Sequence, residues 1–356
     1  MQTKIAHIDS LDSPEAQRSI MEAGAMIRAG GLVVFPTETV YGLGGDATNP
    51  SAASRIYEAK GRPSDNPLII HVADPADAEK YAVTCPLYEK LARELMPGPL
   101  TVILPVRETI PQKVTASLPT VAVRCPEHPI ARALIRAAGV PIAAPSANLS
   151  GSPSPTNGAH VIKDMNGRVD FIIDGGSSEI GLESTIVKIE DDGTLLLLRP
   201  GGITVEKLTA LGCKVKVANA VTEGMKEGET VLSPGMKYKH YAPRASLILL
   251  DGDNDGREAF LKEKLKSSLQ EGKKCALLAY SEDCAVYARL FPDARVFDFG
   301  SQANEEEQAK LLFARLRETD DFDLDEIYAP LPRQSGMGLA LYNRMIRAAA
   351  HRILRV

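Results

Sequence analysis

Over roughly the first 210 residues, short Val/Ile/Leu runs alternate with breaks rich in Pro and Gly, the pattern of short buried strands joined by loops. The runs are "GLVVF", "NPLIIHV", "GPLTVILPV", "TVAVRC", "VPIAAP", "DFIIDG", "STIVKIE" and "TLLLLRPGG". Helical spacing fits "SPEAQRSIMEAGAMIRAGG", with Ser13 as N-cap, Pro14 in the first turn and glycines at the end. The same punctuation predicts helices in "PSAASRIYEAKG", "CPLYEKLARELMPG" and "HPIARALIRAAG". Asp192 and Gly193, between two apolar runs, predict a hairpin because both tolerate the positive φ of a tight turn. The N-terminal region is therefore expected to be α/β with antiparallel pairing.

From about 214 to 244 the apolar period is lost in favour of Gly, Lys and turn formers, and the segment reads as a linker. Beyond it "ASLILLDG", "KKCALLAY", "ARVFDFG" and "LDEIYAPL" alternate with helical stretches, which predicts a smaller, Rossmann-like parallel sheet with crossover helices. The expected division is 1–213, 214–244 and 245–356. A chain of 356 residues is long enough for two cores, and no internal repeat is visible.

Composition narrows the function. With 44% hydrophobic and 24% charged residues and no long apolar run, no membrane partner is expected. The start, "MQTKIAHIDSLDSPEAQ", shows neither a signal core nor an Arg-rich amphipathic face, so a cytoplasmic location is expected. A net charge of -5 favours small molecules over nucleic acid as partners. The five cysteines form no CxxC pair and are expected to be reduced. "NLS" at 148–150 matches a glycosylation acceptor by chance composition.

The P-loop pattern is absent. "GLGGDA" (42–47) matches the looser dinucleotide fingerprint, but "PTETVY" separates it from the preceding strand and the acid expected about 20 residues on falls in a loop, so a Gly-rich turn is the competing reading. More informative, four apolar runs end in a polar group: Thr37, Arg124, Ser146 and Arg199. If their strands share a sheet, these residues are expected at one rim with Lys60, Arg62 and His71. Singly, each has a plain structural reading: a solvated rim arginine, a "SAN" turn capping its own backbone, a satisfied strand histidine. Together they describe a cationic pocket, in which Lys60 offers a compact mobile charge and Arg62 a planar fork, suited to a triphosphate. Ser146 and Asn148 alternate about Ala147 and can face one ligand.

The blocks "FPTETVYGLGGDA", "KGRPSDNPLIIH", "MPGPLTVIL", "VAVRCPEHP", "APSANLSGSPSPT" and "GLESTIVKI" resemble the YrdC-type threonylcarbamoyl-AMP synthases, and "SPGMKYKHYAP" with the C-terminal residues after it resembles the linker and accessory domain of their long form. The resemblance implies a twisted mixed sheet with flanking helices, and an enzyme that joins L-threonine, bicarbonate and ATP, releases pyrophosphate, and supplies a separate tRNA threonylcarbamoyl transferase. It implies a catalytic tetrad of Lys60, Arg62, Ser146 and Asn148. The implied threonine site is Thr37, His71, Arg124, Ala144 through its backbone, and Ser184. The implied nucleotide site is Lys60, Ser64, Thr120, Ser146, Ser154, Arg199 and Tyr241. Mg2+ is expected on the ATP phosphates, with no metal held by the protein alone and no evident protein general base. "SPGMKYKHYAP" reads either as a lid over the nucleotide or as a solvated spacer. Two rivals are a carbamoyl-adenylating domain of hydrogenase maturation, whose zinc-finger cysteine pairs are missing, and a double-stranded RNA-binding protein, which the net acidity disfavours. The C-terminal "RQSGMGLALYNRM" fits either a contact with ligand or partner, or a Gly-rich connection.

Overall fold

The computed structural model of the chain describes residues 2–223 and 241–356. They form two compact units, one of 2–150 and 154–223, the other of 151–153 and 241–356.

The first unit runs through β1 (Lys4–His7), α1 (Pro14–Arg28), β2 (Val33–Phe35), β3 (Gly42–Asp46), α2 (Pro50–Lys60), β4 (Ile69–His71), α3 (Pro86–Leu95), β5 (Leu100–Pro105), α4 (Gln112–Thr115), β6 (Thr120–Arg124), α5 (Pro129–Ala138), β7 (Ile142–Ala143), α6 (Gly158–Met165), β8 (Phe171–Asp174), β9 (Thr185–Ile189), β10 (Leu195–Arg199), α7 (Val205–Ala210) and β11 (Val215–Val217). The strands make one mixed sheet in the order β1-β8-β2-β3-β7-β4-β6-β5-β9-β10-β11. Local chemistry sets the helix ends. The Ser13 hydroxyl accepts from the Ala16 amide at 3.0 Å, and α2 and α5 close on left-handed Gly61 and Gly139. Helices α1 and α5 bury Ile20, Ile27, Ile130 and Leu134 against Phe35 and Phe171 of the sheet.

Two expectations are corrected here. "GLGGD" is neither a turn nor a nucleotide loop but the buried strand β3, paired antiparallel with β2 and β7. A Cβ on Gly44 would lie 2.6 Å from Ile142 Cγ2 and 2.8 Å from the Phe35 ring, so glycine serves close packing here. The segment read as a linker from 214 opens with a strand, β11, because the alternation in "VKV" lets it pair with β10.

The second unit runs through β12 (Ser246–Asp251), α8 (Asn254–Gln270), β13 (Cys275–Ala279), α9 (Ser281–Leu290), β14 (Arg295–Asp298), α10 (Glu305–Thr319), β15 (Glu326–Pro330), α11 (Gly338–Ala348) and β16 (Ile353–Arg355). Its five strands are all parallel, in the order β14-β13-β15-β12-β16, as expected from the strand–helix alternation. Among the described residues no helix is long and apolar enough to cross a membrane.

The contact between α1 and α5 is close at Gly24, where a Cβ would stand 2.6 Å from the backbone carbon of Ala137. Gly24→Ala is expected to destabilise by about 1–2 kcal/mol net, because overpacking against backbone outweighs the helix-propensity gain of about 1 kcal/mol. Urea unfolding measures this, and an unchanged midpoint would mean that the helices separate at no cost.

Candidate active site

Strand β4 is three residues long, and the candidate residues collect at its two ends. At its N-terminal end enters the loop from α2, which carries Lys60, Arg62 and Ser64. Strand β7 runs antiparallel to β4, so Ala144 and Ser146 pass the same end, with the Ala144 amide donating to Ile69 O at 2.9 Å. Strand β6 is parallel to β4, which puts Thr120 there too. At the C-terminal end His71 is level with Arg124, Arg124 with Thr101 on β5, Thr101 with Ile186 on β9, and Ile186 with Arg199 on β10. Side chains alternate along strands, so His71, Arg124 and Thr101 share a face with Ile69, Ala122 and Ile103, which pack in one apolar cluster with Ile186 and Leu198.

The expected residues therefore leave their strands at two ends of the sheet, not one. Strands β2 and β7 run opposite to β4, β6 and β10, so β2 and β7 leave the sheet at one end while His71, Arg124 and Arg199 leave at the other; the loop after β2 then returns to Arg124, whose Nη2 donates to Glu38 and Thr39, with Thr37 Oγ1 2.8 Å from Thr39 Oγ1. Ile69 and His71 mark the two ends, about 7 Å apart at strand rise.

The Lys60 end is organised by a buried ammonium. Lys60 is 3% exposed, and its Nζ donates to the carbonyl oxygens of Ser146 and Asn148 (2.6 Å to the latter) and to Asn148 Oδ1 at 3.3 Å. The Ser146 hydroxyl donates to Asn148 Oδ1 at 2.5 Å. These oxygens are among the acceptors that hold the ammonium, so Lys60 acts as a positioned charge that shapes the 146–148 loop, whereas a mobile charge was expected. The Arg62 Nη2 stands 3.5 Å from the carbonyls of both Asn66 and Pro67, at the limit of a hydrogen bond. Ser64 is exposed in the same loop. Asn66 is 1% exposed, and neither atom of its amide has a hydrogen-bond partner among the described residues.

At the other end Arg124 and Glu38 form a buried ion pair, Nη2 to Oε1 at 2.6 Å, and Nη2 also donates to Thr39 Oγ1 at 2.8 Å. Arg124 Nε and Glu38 Oε2 are buried with no hydrogen-bond partner among the described residues, which leaves one donor and one acceptor toward a ligand. Thr37 closes its own loop, its hydroxyl donating to Val40 O at 2.5 Å and lying 2.8 Å from Thr39 Oγ1. The Ser184 hydroxyl lies 2.7 Å from Thr101 Oγ1 and accepts from Arg199 Nη2 at 3.1 Å, while Arg199 Nε donates to Ser184 O at 3.0 Å. Arg199, expected beside the nucleotide, thus sits with the serine expected beside the amino acid. The Ser154 hydroxyl donates to Glu183 Oε1 at 2.5 Å.

Burial, and after it the Arg124 and Arg199 guanidinium groups, push the His71 pKa down to about 3, so the ring is neutral near pH 7. Its Nδ1 lies 3.2 Å from Ile142 O, which can only accept; Nδ1 therefore carries the hydrogen and Nε2 is the ring's acceptor. Burial lifts the neighbouring Cys125 thiol to about 12, which makes it no nucleophile. Among the described residues no group of three His, Cys, Asp or Glu is placed to hold a metal.

Tyr241 belongs to the second unit, where it adopts a positive φ of 65° and stacks on Phe313 at 5.1 Å. The rest of the expected lid, 233–240, lies outside the described residues. Sequence reasoning missed Glu38, Thr39, Asn66 and Thr101. Thr101 had a signal: it is the one polar residue in "PLTVILP" and shares the parity of Ile103.

Two family models match the chain: one described as "Telomere recombination" over residues 25–201, the other as "Threonylcarbamoyl-AMP synthase, C-terminal domain" over 203–350. The chain is similar to the threonylcarbamoyl-AMP synthase of Bacillus subtilis, 43% identical over 358 residues with 100% of both chains covered. It is as similar to that of Pyrococcus abyssi, 43% identical over 94% of this chain and 95% of the relative. In structure it resembles P. abyssi Sua5 complexed with L-threonine, with a TM-score of 0.90, 42% identity, and 99% and 100% of the two chains covered.

The depressed His71 pKa has a consequence for stability. Between pH 6.5 and about 3 the unfolded chain binds a proton at this position that the folded chain refuses, so the contribution is full above 6.5 and is lost as pH falls through that window. His71→Gln is expected to flatten the stability–pH curve there by up to about 1.4 kcal/mol per pH unit, with no change in slope above 6.5. Chemical denaturation across pH measures it, and superimposable slopes for the two proteins would contradict a buried neutral imidazole.

Proposed function

This chain belongs to the threonylcarbamoyl-AMP synthase family, and we propose that it joins L-threonine, bicarbonate and ATP into threonylcarbamoyl-AMP with release of pyrophosphate. The supporting observation is that one unit buries three cations, Lys60, Arg124 and Arg199, along opposite ends of one short strand. Buried positive charge already oriented by Asn148, Glu38 and Ser184 suits an amino acid carboxylate together with a triphosphate.

The amino acid lies at the His71 end. Arg124, its guanidinium braced by Glu38, takes the carboxylate through the donors the ion pair leaves over. The Nε2 of neutral His71 accepts from the hydroxyl or the amine. Thr37, linked to Arg124 through the Thr39 hydroxyl, and Ser184 complete the site at this end, and the backbone of Ala144 reaches it from the Ile69 end of β4. ATP lies at the Lys60 end, against Arg62, Ser64, Thr120, Ser146 and Asn148, with Ser154 and Arg199 reaching from the other end.

The amine of threonine adds to bicarbonate, or to the CO2 formed from it, giving a carbamate and releasing water; a carbamate oxygen then attacks the α-phosphorus as pyrophosphate leaves in line. Positioning and fixed positive charge supply the rate enhancement. Mg2+ would arrive on the ATP phosphates, as it commonly does, and would neutralise part of their charge. The reaction is placed in the cytoplasm, where the labile product passes to a transferase that completes N6-threonylcarbamoyladenosine in tRNA.

Incubation with ATP, labelled bicarbonate and each amino acid in turn tests this, and a threonine-dependent carbamoyl adenylate with stoichiometric pyrophosphate is expected. Label incorporation that ignores the amino acid supplied would remove the proposal. Lys60→Ala is expected to lower turnover by about 10²-fold or more, since it removes a preorganised charge and the anchor of the 146–148 loop; near-native rates would refute that role. L-serine is expected to lose about 1–3 kcal/mol in kcat/KM, the value of one methyl contact, and to remain a substrate. Equal efficiency for serine and threonine would mean that no pocket encloses the methyl group.

A further inference from the structure

The parallel sheet of the second unit has a crevice with no part in the site above. From β12 the chain moves to β13 and from β13 to β14, toward one edge, whereas from β15 it moves to β16, toward the other. The outgoing connections therefore diverge at β15, between β13 and β12. Helices α8 and α9 share one face, where Leu261 and Tyr287 pack with Leu250 and Leu277, and α10 packs against α11. Open parallel sheets bind ligands outside the carboxyl ends of the strands at such a divergence.

A cavity of about 640 Å³ lies there, lined by the residues that immediately follow β12, β13 and β15: Gly252, Tyr280 and Leu331 through Arg333. Its volume falls in the range that holds small organic ligands, roughly 300–1,000 Å³, and is far larger than a lone inorganic ion needs.

Topology alone does not make a site; the groups facing the cavity do. Tyr280 is 8% exposed, yet its hydroxyl enters no hydrogen bond among the described residues. Below its ring, 5.8 Å from the centroid, lies the guanidinium of Arg257, itself 8% exposed. Arg257 donates to Gly252 O at 2.6 Å and to Asn254 Oδ1, both neutral acceptors, and forms no direct ion pair among the described residues, although Asp283 is close enough to feel its charge. Arg333 uses Nε on Glu305 at 3.1 Å and leaves the rest of an exposed guanidinium open. The two acids at the rim are already committed. Glu305 also accepts from the Gly338 amide at 2.8 Å, and Glu282 accepts from the Ser301 hydroxyl at 2.5 Å and the Gln302 amide at 3.0 Å. The lining thus keeps donors to spare and has its carboxylates occupied.

We propose that this crevice of the second unit is a binding site for a small organic anion, a phosphate- or carboxylate-bearing metabolite, seated on the Tyr280 hydroxyl with its negative group toward Arg257 and Arg333. The site lies wholly within the second unit and does not depend on the reaction assigned to the first.

The test is a titration of the full chain, amide-labelled for NMR, with AMP and separately with citrate at constant ionic strength. The amides of Gly252, Gln302 and Ala303 report on this cavity, so nucleotide bound in the first unit does not confuse the reading. At least one of the two anions is expected to shift these amides saturably with Kd at or below about 1 mM. A response to AMP alone identifies a phosphate ligand, to citrate alone a carboxylate ligand, and to both a site for either. Arg333→Ala, on an exposed side chain that folding does not need, and Tyr280→Phe, which removes only the hydroxyl, are each expected to weaken that binding about tenfold. Both variants should make carbamoyl adenylate at the native rate in the absence of AMP and citrate. The proposal is overturned if the three amides stay in place with both anions to about 10 mM, or if they shift identically in the native and Arg333→Ala proteins.

Discussion

The Lys60 ammonium, buried among the oxygens of Ser146 and Asn148, is the interaction on which the first unit turns. A buried lysine keeps its charge only where acceptors replace water. Backbone carbonyls in turn point into a protein only where something bonds them. Each requirement meets the other here, and neighbouring bonds lock the arrangement. The Ser150 amide donates to Lys60 O at 2.9 Å, the Ala147 amide donates to Tyr41 O at 2.8 Å, and Gly42 bridges Ser146. The last residue of α2, the first of β3 and the loop after β7 are thereby tied at one point. Taking away the ammonium would orphan the carbonyls it bonds, at about 1–3 kcal/mol for each buried group left unsatisfied.

The opposite end of β4 obeys another logic. Arg124 and Arg199 flank a histidine that burial keeps uncharged, and Glu38 balances one of the two guanidinium groups. A buried ion pair is a poor source of stability, since desolvation offsets most of its attraction. Its value is geometric: Glu38 and Thr39 hold Arg124 Nη2 in place while Nε keeps a hydrogen to donate. The Phe35 and His71 rings meet nearly perpendicular with centroids 6.1 Å apart, so the imidazole packs against an aromatic ring as well as its hydrogen-bond partner. Orientation is settled before a ligand arrives, which lowers the cost of binding one.

Much of this was legible in the residues, and the failures share a cause. Strands, helix caps and the Asp192-Gly193 hairpin are written in local chemistry, as Ser13, Gly61 and Gly139 show. Strand direction is not. An apolar run ending in a polar residue looks the same whether its strand points up or down, so the ends of β2 and β6 were placed at one rim although they leave the sheet at opposite ends, and it is the loop after β2 that carries Thr37 back toward Arg124. "GLGGD" hid a strand because its glycines answer to Phe35 and Ile142, neighbours distant in sequence. Glu38 was overlooked because an acid in a loop is ordinarily solvated, and only the fold brings it under Arg124. Arg62, singled out from its spacing, reaches the Asn66 and Pro67 carbonyls only at long range, whereas the unremarked Asn66 beside it is the more deeply buried.

The brevity of β4 connects these two ends to the proposed chemistry. A carbamate of threonine must stay bound by its amino acid part while its new oxygen reaches phosphorus, so the two subsites have to lie a few bond lengths apart yet differ in character. A strand of five or six residues, the common length, would separate them by roughly 13–17 Å, farther than a carbamate can bridge. Three residues bring them within about 7 Å at the backbone, and long side chains from both ends can close the remainder. Antiparallel β7 serves the same end, since it carries Ala144 past Ile69 toward the Lys60 end while its first residue, Ile142, fixes the tautomer of His71. A wholly parallel sheet would gather every strand end at one rim and give a single concentrated charge. The mixed sheet spreads three buried cations over two ends, which suits the proposed pairing of one amino acid with one nucleotide.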